Sequence, residues 1–284
     1  MPGFPVIDGH VHLYDTGRLP YGWMRDIATL NRPHQLAEFD AARDGVEVAG
    51  LVFVEVAVDA GYHVAEAAYV QALADADPRV LGMVAHAPVE HGAAVADDLD
   101  ALSRFASLRG IRRLIQGEAD PGICLQPGFL EGVREVGRRG LTFDICVKGF
   151  ALGYALELVR RCPNTMFVLD HIGKPDIRFG LAEPWRSQIR SLAALPNVVC
   201  KLSGVITEAD HRAWREEDVV PYVHHVLDCF GFARVLYGSD WSVSELTHRY
   251  ADWVAILDRV TAQASEAERR ALFVETAQKV YRLR

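Results

Sequence analysis

The chain has 284 residues, 50% of them hydrophobic and 24% charged, with 23 Gly and 13 Pro, a composition that excludes a disordered, collagen-like or disulfide-scaffold protein. Its 30 Lys and Arg against 38 Asp and Glu give a formal net charge of −8, which argues against a basic face for nucleic acid. No apolar run reaches the roughly 18 residues that a membrane span needs, and the opening MPGFPVIDGH lacks the basic-then-apolar order of a signal peptide.

Short runs rich in β-branched residues recur in chain order at Val6–His12, Gly50–Val56, Val80–His86, Gly110–Ile115, Leu141–Val147, Met166–His171, Val198–Ser203 and Val235–Asp240. Several are apolar nearly throughout, the pattern of parallel strands covered on both faces. Segments with three- and four-residue apolar steps follow the second strand onward: His63–Ala76, Ala93–Ala106, Phe129–Arg139, Leu152–Cys162, Trp185–Leu195, Val219–Phe230 and Tyr250–Gln263. A last helix is expected over Ser265–Tyr281, where Ser265 and Glu268 form a capping-box pair. Eight strands alternating with helices, with no glycine-rich phosphate turn after the first strand, predict a (β/α)8 TIM barrel in one domain over residues 1–284. The five cysteines (Cys124, Cys146, Cys162, Cys200 and Cys229) are odd in number and dispersed. They read as free thiols in a reducing, cytoplasmic setting.

Barrels of this kind place their chemistry at the C-terminal ends of the strands. There the sequence sets Asp8, His10 and His12 on strand one, with a period of two putting all three on one face. Asp170, His171 and Lys174 end strand six, Lys201 and Ser203 lie on strand seven, and Asp240 with Trp241 ends strand eight. Strand four adds Arg112 and Arg113, with Gln116 and Glu118 beyond it. Glu55 ends strand two, and Asp144 lies inside strand five. Glu55, Asp144 and Lys201 each fit a buried ion pair as well as a functional role. Two histidines in an H-x-H pair suit either a metal or a bound anion.

The H-x-H of strand one, the histidine ending strand six and the aspartate in GSDW resemble the amidohydrolase superfamily. DGHVHLYD, RGIRRLIQGE, FVLDHIGKP, VVCKLSGVITEAD and LYGSDW resemble, in that order, its branch of sugar-lactone and pyrone-dicarboxylate lactonases, and are most similar to L-fuconolactonase-type enzymes. That resemblance covers residues 8–241. It departs from the binuclear members, since strand five reads LTFDICV with no histidine and strand four carries arginine in place of lysine.

The resemblance implies hydrolysis of a small-molecule lactone, an aldonolactone such as a fuconolactone or rhamnonolactone, to the sugar acid. Asp240 would be the base, with His171 the next candidate for that role. His10, His12, His171 and Asp240 would hold one divalent metal, zinc by preference; in a metal-free version the same histidines donate hydrogen bonds directly. Arg112, Arg113, Gln116, Lys174 and Lys201 would hold substrate hydroxyls or a carboxylate, and Trp241, Tyr14 or Trp23 would stack on a sugar ring. The rival readings are an acidic lactone of the pyrone dicarboxylate or muconolactone type, with Arg178 and Arg212 assisting, a metal-dependent decarboxylase, and a lactone isomerase. A barrel kept only for binding would not gather ionisable residues at its strand ends. Nothing in the sequence decides whether the chain forms a homo-oligomer.

Overall fold

In the computed structural model, which describes residues 1–180 and 182–283, eight strands form one parallel sheet in the order β1 to β8. They are β1 (Val6–Val11), β2 (Val48–Val54), β3 (Val80–His86), β4 (Leu108–Arg112), β5 (Thr142–Ile145), β6 (Met166–Leu169), β7 (Val198–Leu202) and β8 (Val235–Tyr237). The barrel closes between its last and first strands just beyond β8. There Asp240 N bonds His10 O at 3.0 Å and His12 N bonds Trp241 O at 2.6 Å. The result is a single (β/α)8 barrel, with its strands buried at most positions.

The helices are α1 (Leu36–Ala42), α2 (His63–Ala76), α3 (Val95–Leu102), α4 (Pro127–Arg138), α5 (Leu152–Arg161), α6 (Trp185–Ala193), α7 (Glu216–Phe230) and α8 (Tyr250–Val260). The sequence pattern misses α1, whose seven residues are too short for helical periodicity to register. The expected last helix starts as α9 (Glu266–Arg270) from the Ser265–Glu268 capping box, passes through a π turn at Ala271–Glu275, and resumes as α10 (Thr276–Val280). Tyr281 then inserts beneath the sheet, wholly buried, and donates its hydroxyl to Asp144 Oδ2 at 2.6 Å.

Most strands stop one to three residues short of the expected ends. The residues left over bend out of the sheet at the mouth: His171 and Asp240 adopt positive φ of 52° and 62°. One expectation for β1 is overturned. Its pairing with β2 shifts register between Asp8 and Val11, so the period of two fails and Asp8 leaves the face of the two histidines. Its carboxylate instead accepts from Tyr250 Oη of α8 at 2.9 Å and from Ser239 N at 2.8 Å. Burial pushes Asp8 up to about 6. Among the described residues, no helix is long and apolar enough to cross a membrane, and all five cysteines are free.

Candidate active site

The strand ends surround a cavity of about 440 Å³ at the C-terminal mouth. His12, Arg112, Arg113, Gln116, Glu118, Cys146, His171, Lys174 and Asp240 contribute its polar and thiol lining, and Trp23, Val56, Leu114 and Val243 its apolar lining. At its floor three donor atoms converge. His10 Nε2 and His12 Nε2 are 3.3 Å apart, and Asp240 Oδ1 is 3.6 Å from the first and 3.3 Å from the second. His171 Nε2 is 3.9 Å from the same oxygen.

Neighbours orient each ring. His12 Nδ1 bonds Val54 O at 2.8 Å, which leaves Nε2 with its lone pair toward the cavity. His171 Nδ1 bonds Ser203 Oγ at 2.9 Å and so turns Nε2 toward Asp240. His10 Nδ1 faces Asp170 Oδ1 at 3.4 Å and Lys201 Nζ at 3.3 Å. A proton on Nδ1 would face Asp170 and leave Nε2 its lone pair, toward which Arg112 Nη1 also points at 3.4 Å. Burial holds His171 down to about 4 against the attraction of Asp240. Burial alone would raise Asp240, but the surrounding His171, His12 and His10 hold its carboxyl well below the usual range.

Asp240 divides its two oxygens between two surroundings. Oδ1 faces the histidines, whereas Oδ2 is buried with no hydrogen-bond partner. Beside Oδ2 lies Gly204, at φ +54°; a Cβ there would sit 2.7 Å from Oδ2 and 2.6 Å from His171 Nδ1. Gly204 therefore keeps open a notch between the two side chains.

Beneath this floor lies a layer of buried charge. Arg112 donates from Nε to Glu55 Oε1 at 2.7 Å, from Nη2 to Glu55 O at 2.6 Å and from Nη1 to Asp170 Oδ2 at 3.0 Å. Lys201 Nζ lies 2.7 Å from Asp144 Oδ2 and 3.0 Å from Asp170 Oδ1, and those two carboxylates outweigh its burial and keep it charged. Asp144 also accepts from Tyr281 and Thr142, the bonding of an ionised carboxylate.

The donor set fits a divalent metal. Two ligands on a tetrahedral zinc at about 2.0–2.1 Å stand about 3.3–3.4 Å apart, close to the three separations seen here. Two groups of side chains meet the geometric requirement: His10, His12 and Asp240, and His10, Asp170 and His171. The charge balance agrees. Glu55, Asp170 and Asp240 are buried carboxylates near the floor, Arg112 and Lys201 are the buried cations among the described residues, and a divalent cation would add positive charge beside Asp240.

The structure thus brings His10, His12, His171 and Asp240 together, with Arg113, Gln116 and Lys174 on the same cavity wall. Arg113 is held by Glu90 at 2.9 Å and Glu118 at 2.5 Å, and Lys174 lies 3.4 Å from Glu208. Arg112 borders the cavity, yet its guanidinium is spent on Glu55 and Asp170. Two expected substrate contacts lie elsewhere. Lys201 is sealed in the charge layer, with no exposed surface, because two carboxylates beneath the floor capture it. Trp241 is turned into the core, its Nε1 bonding Glu245 at 2.8 Å. Tyr14 is likewise buried, and Arg178 and Arg212 line a separate depression with Asp176 and Asp210. The supporting roles of Asp170, Ser203 and Gly204 are not legible in the sequence, although Asp170 stands beside His171 in the LDHIGKP motif.

Residues 7–283 match the family model described as amidohydrolase, and the chain belongs to that family of hydrolytic enzymes. The L-fucono-1,5-lactonase of Burkholderia ambifaria is 39% identical over 160 residues, 56% of this chain and 55% of that one. The L-fucono-1,5-lactonase of Burkholderia multivorans is 36% identical over 195 residues, 63% of this chain and 64% of the relative. These matches span between half and two thirds of the two lactonases. A crystal structure of an amidohydrolase from Burkholderia multivorans with bound zinc superposes with a TM-score of 0.88 at 30% identity, covering 99% of this chain and 100% of that one.

Proposed function

We propose that this enzyme hydrolyses a neutral sugar lactone to the corresponding aldonic acid. The observation that carries this reading is that every cation among the described residues lining the cavity faces a carboxylate. Arg112 answers Glu55 and Asp170, Arg113 answers Glu90 and Glu118, and Lys174 shares Glu208 with Lys148. A dicarboxylate substrate would need uncommitted positive charge, and a neutral polyhydroxylated ring would not. The naming of two relatives as L-fucono-1,5-lactonases points the same way.

In the proposed reaction Asp240 accepts a proton from water through Oδ2, its unpartnered oxygen. The water oxygen bonds to the ring carbonyl carbon, and the bond from that carbon to the ring oxygen then breaks. The ring oxygen leaves as an alcohol and takes up a proton, so that one water is added in total. His171, fixed by Ser203, is the nearest ring to hold or deliver that proton. Gln116, Arg113 and Lys174 would bind ring hydroxyls. One divalent metal, zinc by preference, would be held by His10, His12 and Asp240 with His171 adjacent, and supplies polarisation of the carbonyl and a more acidic water.

The test is acid release from a panel of neutral aldonolactones, followed with a pH indicator, with and without chelator. Product mass should show one added water. Release of CO2, or an isomer of unchanged mass, would contradict the proposal.

A further inference from the structure

We infer that Trp23 is the sugar-binding platform of the cavity, the side chain on which the apolar C–H face of a lactone ring rests; this assignment builds on the sugar-lactone reading above. Among the described residues lining the cavity, Trp23 alone is aromatic apart from the two histidines. Its side chain is a large apolar one left 44% exposed, whereas Trp241 and Tyr14 are buried. Trp23 is also pinned. Its indole Nε1 donates to Val56 O at 2.8 Å, so the polar atom of the ring is already spent and the ring's surface is left for contact.

The short turn that carries it is tied to the β2–α2 connection. Gly22 N bonds Asp59 Oδ1 at 2.8 Å, and Asp59 N bonds Pro20 O at 3.0 Å. A platform held in place before the ligand arrives loses little entropy on binding. Pyranose and furanose lactones offer one face of C–H bonds and a rim of hydroxyls. The cavity matches that division, with Trp23, Val56, Leu114 and Val243 as its apolar lining and Arg113, Gln116 and Lys174 among its polar lining. The residue would set substrate affinity and selectivity while leaving the chemistry at Asp240 intact.

The test compares wild type with Trp23→Ala and Trp23→Phe on a neutral aldonolactone and on γ-butyrolactone, a small ester without hydroxyls. Binding of the aldonic acid product is measured alongside by calorimetry. The assignment predicts that Trp23→Ala raises KM for the aldonolactone roughly tenfold and weakens product binding by a similar factor, with kcat largely kept. Trp23→Phe should recover most of both, and the shift for γ-butyrolactone should be clearly smaller. An unchanged KM and product affinity in Trp23→Ala, or a loss confined to kcat, would overturn the platform while leaving lactone hydrolysis intact. A wild-type enzyme that opens no neutral lactone would overturn the hydrolysis reading, and the platform with it.

Discussion

His171 Nδ1 lies 2.9 Å from Ser203 Oγ, and this one contact ties the end of β6 to the end of β7 and aims the far side of the imidazole at Asp240. Both participants sit on backbone that has already left the sheet, with His171 at positive φ. Gly204, the residue after Ser203, must then pass close beneath the ring. The geometry of the proposed catalytic pair thus depends on a residue with no side chain.

Gly204→Ala tests that dependence. The new Cβ would press on His171 Nδ1 and Asp240 Oδ2 from inside van der Waals distance, at a backbone angle that disfavours any side chain. Misplacing reacting groups by about 1 Å can cost about 10²-fold, and a fall in kcat of that order is expected with KM less affected. Steady-state kinetics on an aldonolactone supplies the check; an unchanged kcat would show that the notch has no role.

Lys201 should matter for folding and little for substrate. Lys201→Met leaves Asp144 and Asp170 buried without their shared cation. Breaking a buried pair on one side costs about 3–5 kcal/mol. Urea denaturation should report a loss of that size, while KM for the lactone stays close to wild type. A large rise in KM with stability intact would return Lys201 to the substrate.

Glu66 on α2 gives the protein a pH-dependent stability. Burial, reinforced by the nearby Glu55, raises its carboxyl from 4.5 to about 8, so it is uncharged at neutral pH and accepts from Val56 N at 3.3 Å. Below pH 4.5 both folded and unfolded chains carry the proton and the group contributes no pH dependence. Between 4.5 and about 8 the unfolded chain has lost the proton that the folded chain keeps, so this contribution to stability falls as pH rises, by up to about 1.4 kcal/mol per unit. Glu66→Gln keeps the acceptor and removes the titration. Its unfolding free energy should gain on wild type steadily from pH 5 to 8; parallel curves would refute the assignment.

Metal stoichiometry follows from the way the donor groups overlap. The two candidate groups share His10, so filling both would require one imidazole to bridge two ions, with its Nδ1 already facing Lys201 Nζ at 3.3 Å. Elemental analysis of zinc-saturated protein should find one ion per chain, and His12→Ala should lower that content. Two tightly held ions, both needed for turnover, would contradict the account.

The barrel was legible because parallel strands buried on both faces leave a strong imprint, as in GLVFVEV and MFVLDHIG. The ends of strands one, six and eight could be read for the same reason: His10, His12, His171 and Asp240 are polar residues where an apolar run stops. What the residue pattern hides is partnership across strands. Nothing near Lys201 in sequence tells that Asp144, 57 positions earlier, waits 2.7 Å away. Likewise nothing beside Arg112 in sequence shows that Glu55 and Asp170 occupy its guanidinium. The departure of Asp8 is hidden because a register shift in β1 leaves no mark in composition, and α1 is hidden because a seven-residue helix gives the pattern too few turns to repeat.

The most direct measurement is the rate of aldonolactone hydrolysis by Asp240→Asn at saturating zinc, with bound zinc determined on the same sample. Asparagine keeps the shape of the side chain and removes its capacity to take a proton. If Asp240 is the base, kcat should fall by about 10²–10⁴-fold and stay low even where zinc is fully bound. A rate near wild type even before zinc is added would remove Asp240 from the chemistry, and a rate that is low without zinc but near wild type at saturation would reduce it to a metal ligand.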